Sequence, residues 1–270
     1  MNYKHLIIML ILVIVSELKA QDNHQSEDLR KRTLNFSTGY FNYASVDKLF
    51  ADQIYSGGGP IIGVSIYKQK KFIQQINFRF ASLHRTPKDI VIQKYIVDSD
   101  SRLKRINHLH LEVDAFYLFP IRKYSSENFT VSYLINWFTS IDLIKNNNMM
   151  PEQLLSSIAP GLNVEYSREK HRLEGRLSTA LISYTCRANY SNVIQQDFEK
   201  LNYRQFIQSN SRVQFPGSLQ SLFAGINYEY GFSKRTKGTV YYHFCYLHNS
   251  KPRPLWVVTG FYGLGLNHYF

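Results

Sequence analysis

Cysteine is nearly absent: Cys186 and Cys245 are the two in 270 residues, too few to staple a fold. Proline is scarce as well, at eight, which leaves long stretches free to pleat. Beyond Val15 no apolar run reaches the roughly 18 residues that a spanning helix requires. A helical membrane protein is thereby excluded. A β-barrel is not, because its strands leave a much weaker hydropathy trace. Acidic residues are outnumbered, 20 against 32 Lys and Arg, for a net charge of +12. The basic residues form no stripe interleaved with aromatics, so nucleic acid is not an expected partner. Aromatics are plentiful, with 20 Tyr and 18 Phe. That composition suits pleated, half-buried strands.

Lys4 precedes an uninterrupted apolar run, Leu6–Val15, and Ser16-Glu17-Leu18-Lys19-Ala20 follows it. This order of charge, apolar run and small residue is that of a secretory signal peptide in residues 1–20, with cleavage expected near Ala20. As a helix the run would rise about 15 Å, roughly half a bilayer core, so it is too short for an anchor. No Cys follows it, which argues against a lipoprotein. Residues 21–33 are polar and charged and read as a flexible lead-in. The remainder, 34–270, is long enough for one large all-β domain.

Along that remainder apolar residues recur at every second position, the period of a strand. Ten strands are expected: Leu34–Ala44, Pro60–Lys68, Phe72–Leu83, Arg105–Phe119, Asn128–Ser140, Gly161–Ser167, Leu173–Arg187, Ser218–Phe232, Thr239–Leu247 and Leu255–Phe270. The fourth is the clearest. Leu109, Leu111, Val113, Ala115, Tyr117 and Phe119 share one face, and His108, His110, Glu112 and Asp114 share the other. Periodicity alone does not separate a barrel from a soluble β-sandwich. The connections do. They alternate long and short, with the short ones near residues 69, 123, 170 and 235. An even strand count with short turns at one rim and long loops at the other is the plan of a membrane barrel. Tyr117, Tyr133, Trp137, Tyr230, Tyr246 and Trp256 lie near strand ends and would supply its interfacial girdles.

The last strand carries a further signal. Trp256, Val258, Gly260, Tyr262, Leu264, Leu266, His268 and Phe270 lie on one face, and the chain stops on an aromatic. This resembles the closing strand of bacterial outer-membrane β-barrels, with His268 standing where a large apolar residue is usual. The resemblance implies an all-β, single antiparallel transmembrane β-barrel of about ten strands in the outer membrane. It also implies two partners: outer-membrane lipids, and the barrel-assembly machinery, which would read Tyr262, Leu264, Leu266 and Phe270.

A ring of ten strands is narrow, and rings near that size fill their bores with side chains. The inward faces should therefore form a polar plug. Arg79, His108, His110, Glu112, Asp114, Glu174, Arg176 and Glu229 are its expected network. Ion pairs should join Arg79 and Arg176 to Glu112, Asp114, Glu174 and Glu229, since a charge away from water needs a partner. His108, His110 and Glu112 share one strand face and are the residue types that bind zinc, but a hydrogen-bonded lumen stripe is the better account of them. No metal and no cofactor is expected. His248 and Ser250, in an expected surface loop, are the nearest thing to a catalytic pair; no acid partner accompanies them. Cys186 and Cys245 both read as inward-facing and too far apart for a disulfide. The four short turns carry Lys68, Lys70, Lys71, Arg122, Lys123, Arg168, Lys170, Arg172, Lys234, Arg235 and Lys237, a basic rim suited to anionic head groups.

Three functions remain open on these residues. One is a plugged barrel acting through loops 84–104, 141–158 and 188–216 as a structural or interaction protein. Another is a narrow channel or solute-binding, porin-like barrel. The third is an outer-leaflet lipid hydrolase.

Overall fold

The computed structural model describes residues 32–47, 54–69, 73–87, 106–145, 149–187, 210–251 and 254–270. The expected signal peptide, the lead-in as far as residue 31, Lys70, Lys71 and the centres of loops 84–104 and 188–216 lie outside these residues. Twelve strands follow one another: β1 (Arg32–Asp47), β2 (Ile54–Gln69), β3 (Ile73–Pro87), β4 (Ile106–Pro120), β5 (Phe129–Lys145), β6 (Met149–Arg168), β7 (His171–Ser178), β8 (Ile182–Arg187), β9 (Ser211–Gln214), β10 (Leu219–Gly231), β11 (Thr236–Asn249) and β12 (Leu255–Tyr269). A single 3-10 turn, Arg122–Tyr124, links β4 to β5.

Every strand pairs antiparallel with its neighbours, and the sheet closes on itself. β1 pairs with β2 on one side and with β12 on the other. β6 pairs with β5 along its length, with β7 over its second half and with β8 over its first half. β10 pairs with β7, and β9 with β8. β7 and β8 thus share one position in the wall, as do β9 and β10. Twelve segments less these two make a closed ring of ten. Closure leaves the ten-stranded ring without a bare edge, as a sheet in lipid requires, while the short β9 pairs with β8 alone among the described residues. One rim is laced by the short turns and the chain ends: Gly231 N–H donates to Lys170 O at 2.8 Å, Tyr269 N–H to Arg235 O at 2.9 Å and Phe270 N–H to Arg32 O at 3.0 Å. The β6–β7 turn is tight, with Glu169 at a φ of 52°, the left-handed geometry of a two-residue hairpin.

Several strands run further than the apolar pattern indicates. β1 begins at Arg32, inside the expected lead-in. Gly57-Gly58-Gly59, expected as loop, lies within β2. A Cβ on Gly59 would fall 1.8 Å from Ser82 O, so glycine there lets β3 close in. Residues 141–158, expected as a long surface loop, belong almost wholly to the hairpin of β5 and β6.

The seventh wall position holds a larger surprise. In β7 the even residues Glu174, Arg176 and Ser178 are buried inside, whereas in β8 the odd residues Ser183, Thr185 and Arg187 are. Between them Ala180 is buried and Leu181 exposed. The extra residue shifts the parity, as a bulge does. Cys186 therefore pairs with Leu154 and faces outward with Ile182 and Tyr184, not inward as its spacing implied. Cys245 faces inward. The two form no disulfide and lie on opposite faces of the wall.

The outer face is apolar over its height, as in Leu177 (53% exposed), Ile226 (56%) and Leu264 (63%). Its polar side chains find partners along the wall. Trp137 Nε1 donates to Ser156 Oγ at 3.1 Å, Thr139 and Ser156 hydroxyls meet at 3.0 Å, and Thr38 Oγ1 donates to Ile61 O at 3.3 Å. Water would make such pairing unnecessary; hydrocarbon makes it necessary.

Candidate functional site

The bore is filled, and in two chemically distinct parts. One is hydrocarbon. Phe41, Ile61, Leu83, Phe138, Leu155, Ala180, Phe223, Leu247, Leu255 and Phe261 are buried in a single cluster. These side chains come from every wall position except β4. There two imidazoles complete the circuit: His110 stacks on Phe41 with ring centres 4.6 Å apart, and His108 meets Tyr43 edge-on at 5.5 Å. The plug thus contains an apolar cluster beside the polar side chains that alternation led us to expect. Strand parity reports which residues face in. It does not report that inward positions of a narrow ring touch one another across the axis and can form a core.

The other part is charged and lies toward the short-turn rim. Arg79 is ion-paired with both Glu112 and Asp114. Arg176 Nε lies 3.3 Å from Glu174 Oε1. Glu229, which we expected on Arg79 or Arg176, instead takes Arg172 Nη1 at 3.1 Å and Lys237 Nζ at 3.7 Å. Arg172 also holds Glu165, Nε to Oε1 at 2.8 Å. Arg172 and Lys237 thus leave the basic rim and turn into the bore. His243 Nε2 donates to Asn227 Oδ1 at 3.0 Å, which leaves its Nδ1 to accept from Arg79 Nη2 at 3.4 Å.

His108 and His110 do not converge with Glu112 on a common point. Both point at Asp142 Oδ1, from 3.0 Å (His108 Nε2) and 2.7 Å (His110 Nδ1), and His110 Nε2 lies 3.4 Å from Glu112 Oε2. Among the described residues no group of three His, Cys, Asp or Glu side chains is arranged to hold a metal ion. Asp142 escaped the sequence reading because it lies past the expected end of its strand. The signal was present: Ser132, Leu134, Asn136, Phe138, Ser140 and Asp142 keep one parity throughout.

His248 and Ser250 are not brought together as a catalytic pair. His248 lies in β11, not in a loop, and stacks face to face on Trp256 with ring centres 4.8 Å apart. Ser250 Oγ donates to Ser218 O at 3.0 Å. No acid is bonded to either among the described residues. Tyr262, Leu264 and Leu266 lie on the outer face of β12, Phe270 follows its last residue, and all four are exposed.

A cavity of about 70 Å³ occupies the charged part of the bore, reaching from Thr33, Tyr67 and Tyr269 at the rim to Arg79, His243 and Phe261 at mid-wall. A second, of about 40 Å³, adjoins it through Arg79, Arg176, His243 and Phe261.

No protein-family model and no curated protein matches the chain. Solved structures do resemble it in shape. The outer membrane protease OmpT from Escherichia coli is 9% identical with a TM-score of 0.49, over 92% of this chain and 99% of that one. The translocator domain of the autotransporter NalP from Neisseria meningitidis is 10% identical with a TM-score of 0.40, over 97% and 95%. Neisserial surface protein A is 6% identical with a TM-score of 0.38, over 89% and 97%. At such identities nothing about activity carries across, and the assignment rests on the closed ring, its apolar exterior and its filled bore. By those features the chain is a closed, ten-stranded antiparallel β-barrel with an apolar outer face.

Proposed function

We propose that this is a plugged outer-membrane barrel that works through its surface segments as a structural or interaction protein rather than by passing solutes. The observation that carries the reading is the apolar cluster across the bore. Phe41 and Leu83 are 0% exposed and Leu247 2%. A pore needs a continuous water path, and barrels that conduct freely have many more strands. The surface work falls to residues 88–105 and 188–209, since the 141–158 segment is wall. Export would use the N-terminal signal peptide. Insertion would use the assembly machinery, with Tyr262, Leu264 and Leu266 presented on the outer face of β12 and Phe270 following its last residue. The basic residues left at the rim, such as Arg122, Lys123, Lys234 and Arg235, suit anionic lipid.

Reconstitution into planar bilayers tests this directly. The expected trace is flat at all voltages, and stepwise ion conductance from the pure protein would overturn the proposal. Deletion of 188–209 should leave a barrel that still shows heat-modifiable gel migration, yet reproduce the envelope phenotype of losing the whole chain.

A further inference from the structure

Arg176 is held at Nε and over one face, and its outer edge is unused. Its Nε faces Glu174, its guanidinium carbon lies 4.3 Å from the Phe116 ring centre, and Glu174 is itself held by Asn227 Nδ2 at 3.3 Å. Arg176 is only 7% exposed, yet Nη1 and Nη2 are both buried without a hydrogen-bond partner. Asn77, 1% exposed, accepts from Gln75 Nε2 at 2.8 Å through Oδ1 and leaves its Nδ2 without a partner. Arg176 and Asn77 both line the larger cavity. Buried donors left without acceptors are costly and call for an occupant. Arg79 and Arg172, by contrast, each already hold two carboxylates.

We propose that this cavity binds a small carboxylate, its two oxygens on Arg176 Nη1 and Nη2, with Asn77 Nδ2 as a further donor. Arg176 Nη1 and Nη2 and Asn77 Nδ2 are donors, so a ligand that fills them must bring acceptors, and a planar guanidinium edge matches a carboxylate in a two-point grip. Glu112 and Asp114 already occupy Arg79, and Glu165 and Glu229 already occupy Arg172, so the free edge of Arg176 is the direction left open. Glu174 and Glu229 line the cavity and would repel a dianion, which limits the ligand to a single negative charge. Size agrees. About 70 Å³ corresponds to roughly five water positions. That is room for a carboxylate of acetate to lactate size, with Phe261 beside its alkyl end. The proposal holds whether or not the surface segments carry the barrel's main role.

The mature chain in detergent micelles, titrated with acetate labelled at its carboxyl carbon and followed by NMR, tests it. Saturable broadening of the carboxyl resonance is expected, and Arg176→Gln should weaken binding about tenfold or more. Arg176→Lys keeps the charge but loses the fork and should rescue little of it. Asn77→Ser disturbs no ion pair, so it decides the question if the Arg176 variants fail to fold; a several-fold loss is expected. Chloride and inorganic phosphate should compete poorly. Absence of saturation, affinity unchanged in Asn77→Ser and Arg176→Gln, or displacement by chloride at equal concentration would each overturn the proposal.

Discussion

Arg79 is the hinge of the charged layer, and its environment shows what single side chains can and cannot reveal from spacing. It binds Glu112 and Asp114 from β4, touches His243 from β11 and lies 4.4 Å over the Phe261 ring of β12. Removing it strands two buried carboxylates. Arg79→Met should therefore cost about 3–5 kcal/mol. Urea unfolding in micelles, read by tryptophan fluorescence, measures this. Glu112→Gln leaves Arg79 its second carboxylate and should cost clearly less. The inward placement of Arg79, Glu112, Asp114, Glu174 and Arg176 was legible, because each sits at even spacing among outward apolar neighbours. The roles of Arg172 and Asp142 were not. Arg172 is adjacent to a two-residue turn, where a basic side chain reads as solvated. Asp142 lies where the apolar partners Ile141 and Leu143 look like a change of register into loop.

At the scale of elements, closure depends on how near strands can approach. Tyr241 reaches across Gly263 to donate from Oη to Thr38 O at 3.1 Å, tying β11 to β1 over the intervening β12. A Cβ on Gly263 would lie 2.2 Å from Thr38 O and 2.5 Å from Tyr241 Oη. Gly263→Ala should thus destabilise by about 1–3 kcal/mol through forced separation at the β1–β12 seam. Loss of heat-modifiable migration at a lower temperature would register it. The parity shift between β7 and β8 makes a sharper case. Deleting Ala180 would restore simple alternation from Ser178 onward. Ser183, Thr185 and Arg187 would then keep the inward parity of Glu174, Arg176 and Ser178, because the four steps of β6 from Gly161 to Ser157 would face four residues instead of five. A folded barrel with heat-modifiable migration should be recovered from that variant, as from Ala180→Gly. Sequence alternation could not reveal this shift. A bulge leaves both flanking runs regular and alters only their phase.

For the whole molecule, the decisive property is that inward positions meet across the axis. Phe41 and Phe261 sit on neighbouring strands at mid-wall, paired in register, and both face the bore. Replacing both with Ser removes two aromatic volumes and adds hydroxyls that water can solvate. Conductance steps absent from the parent should appear in planar bilayers, alongside a stability loss of several kcal/mol. The ring, its hand-over between short and long rims and its outward apolar face followed from the sequence pattern. The apolar cluster within the plug did not, because the pattern treats each strand alone and the cluster is a property of all of them together.

The seam between β1 and β12 pairs Thr33 with Tyr269, residues 236 positions apart (269 − 33). The free side of β1 therefore has no mate until a strand more than two hundred positions away is in place. Until then the sheet is an open ribbon with two unpaired margins, each able to capture another copy.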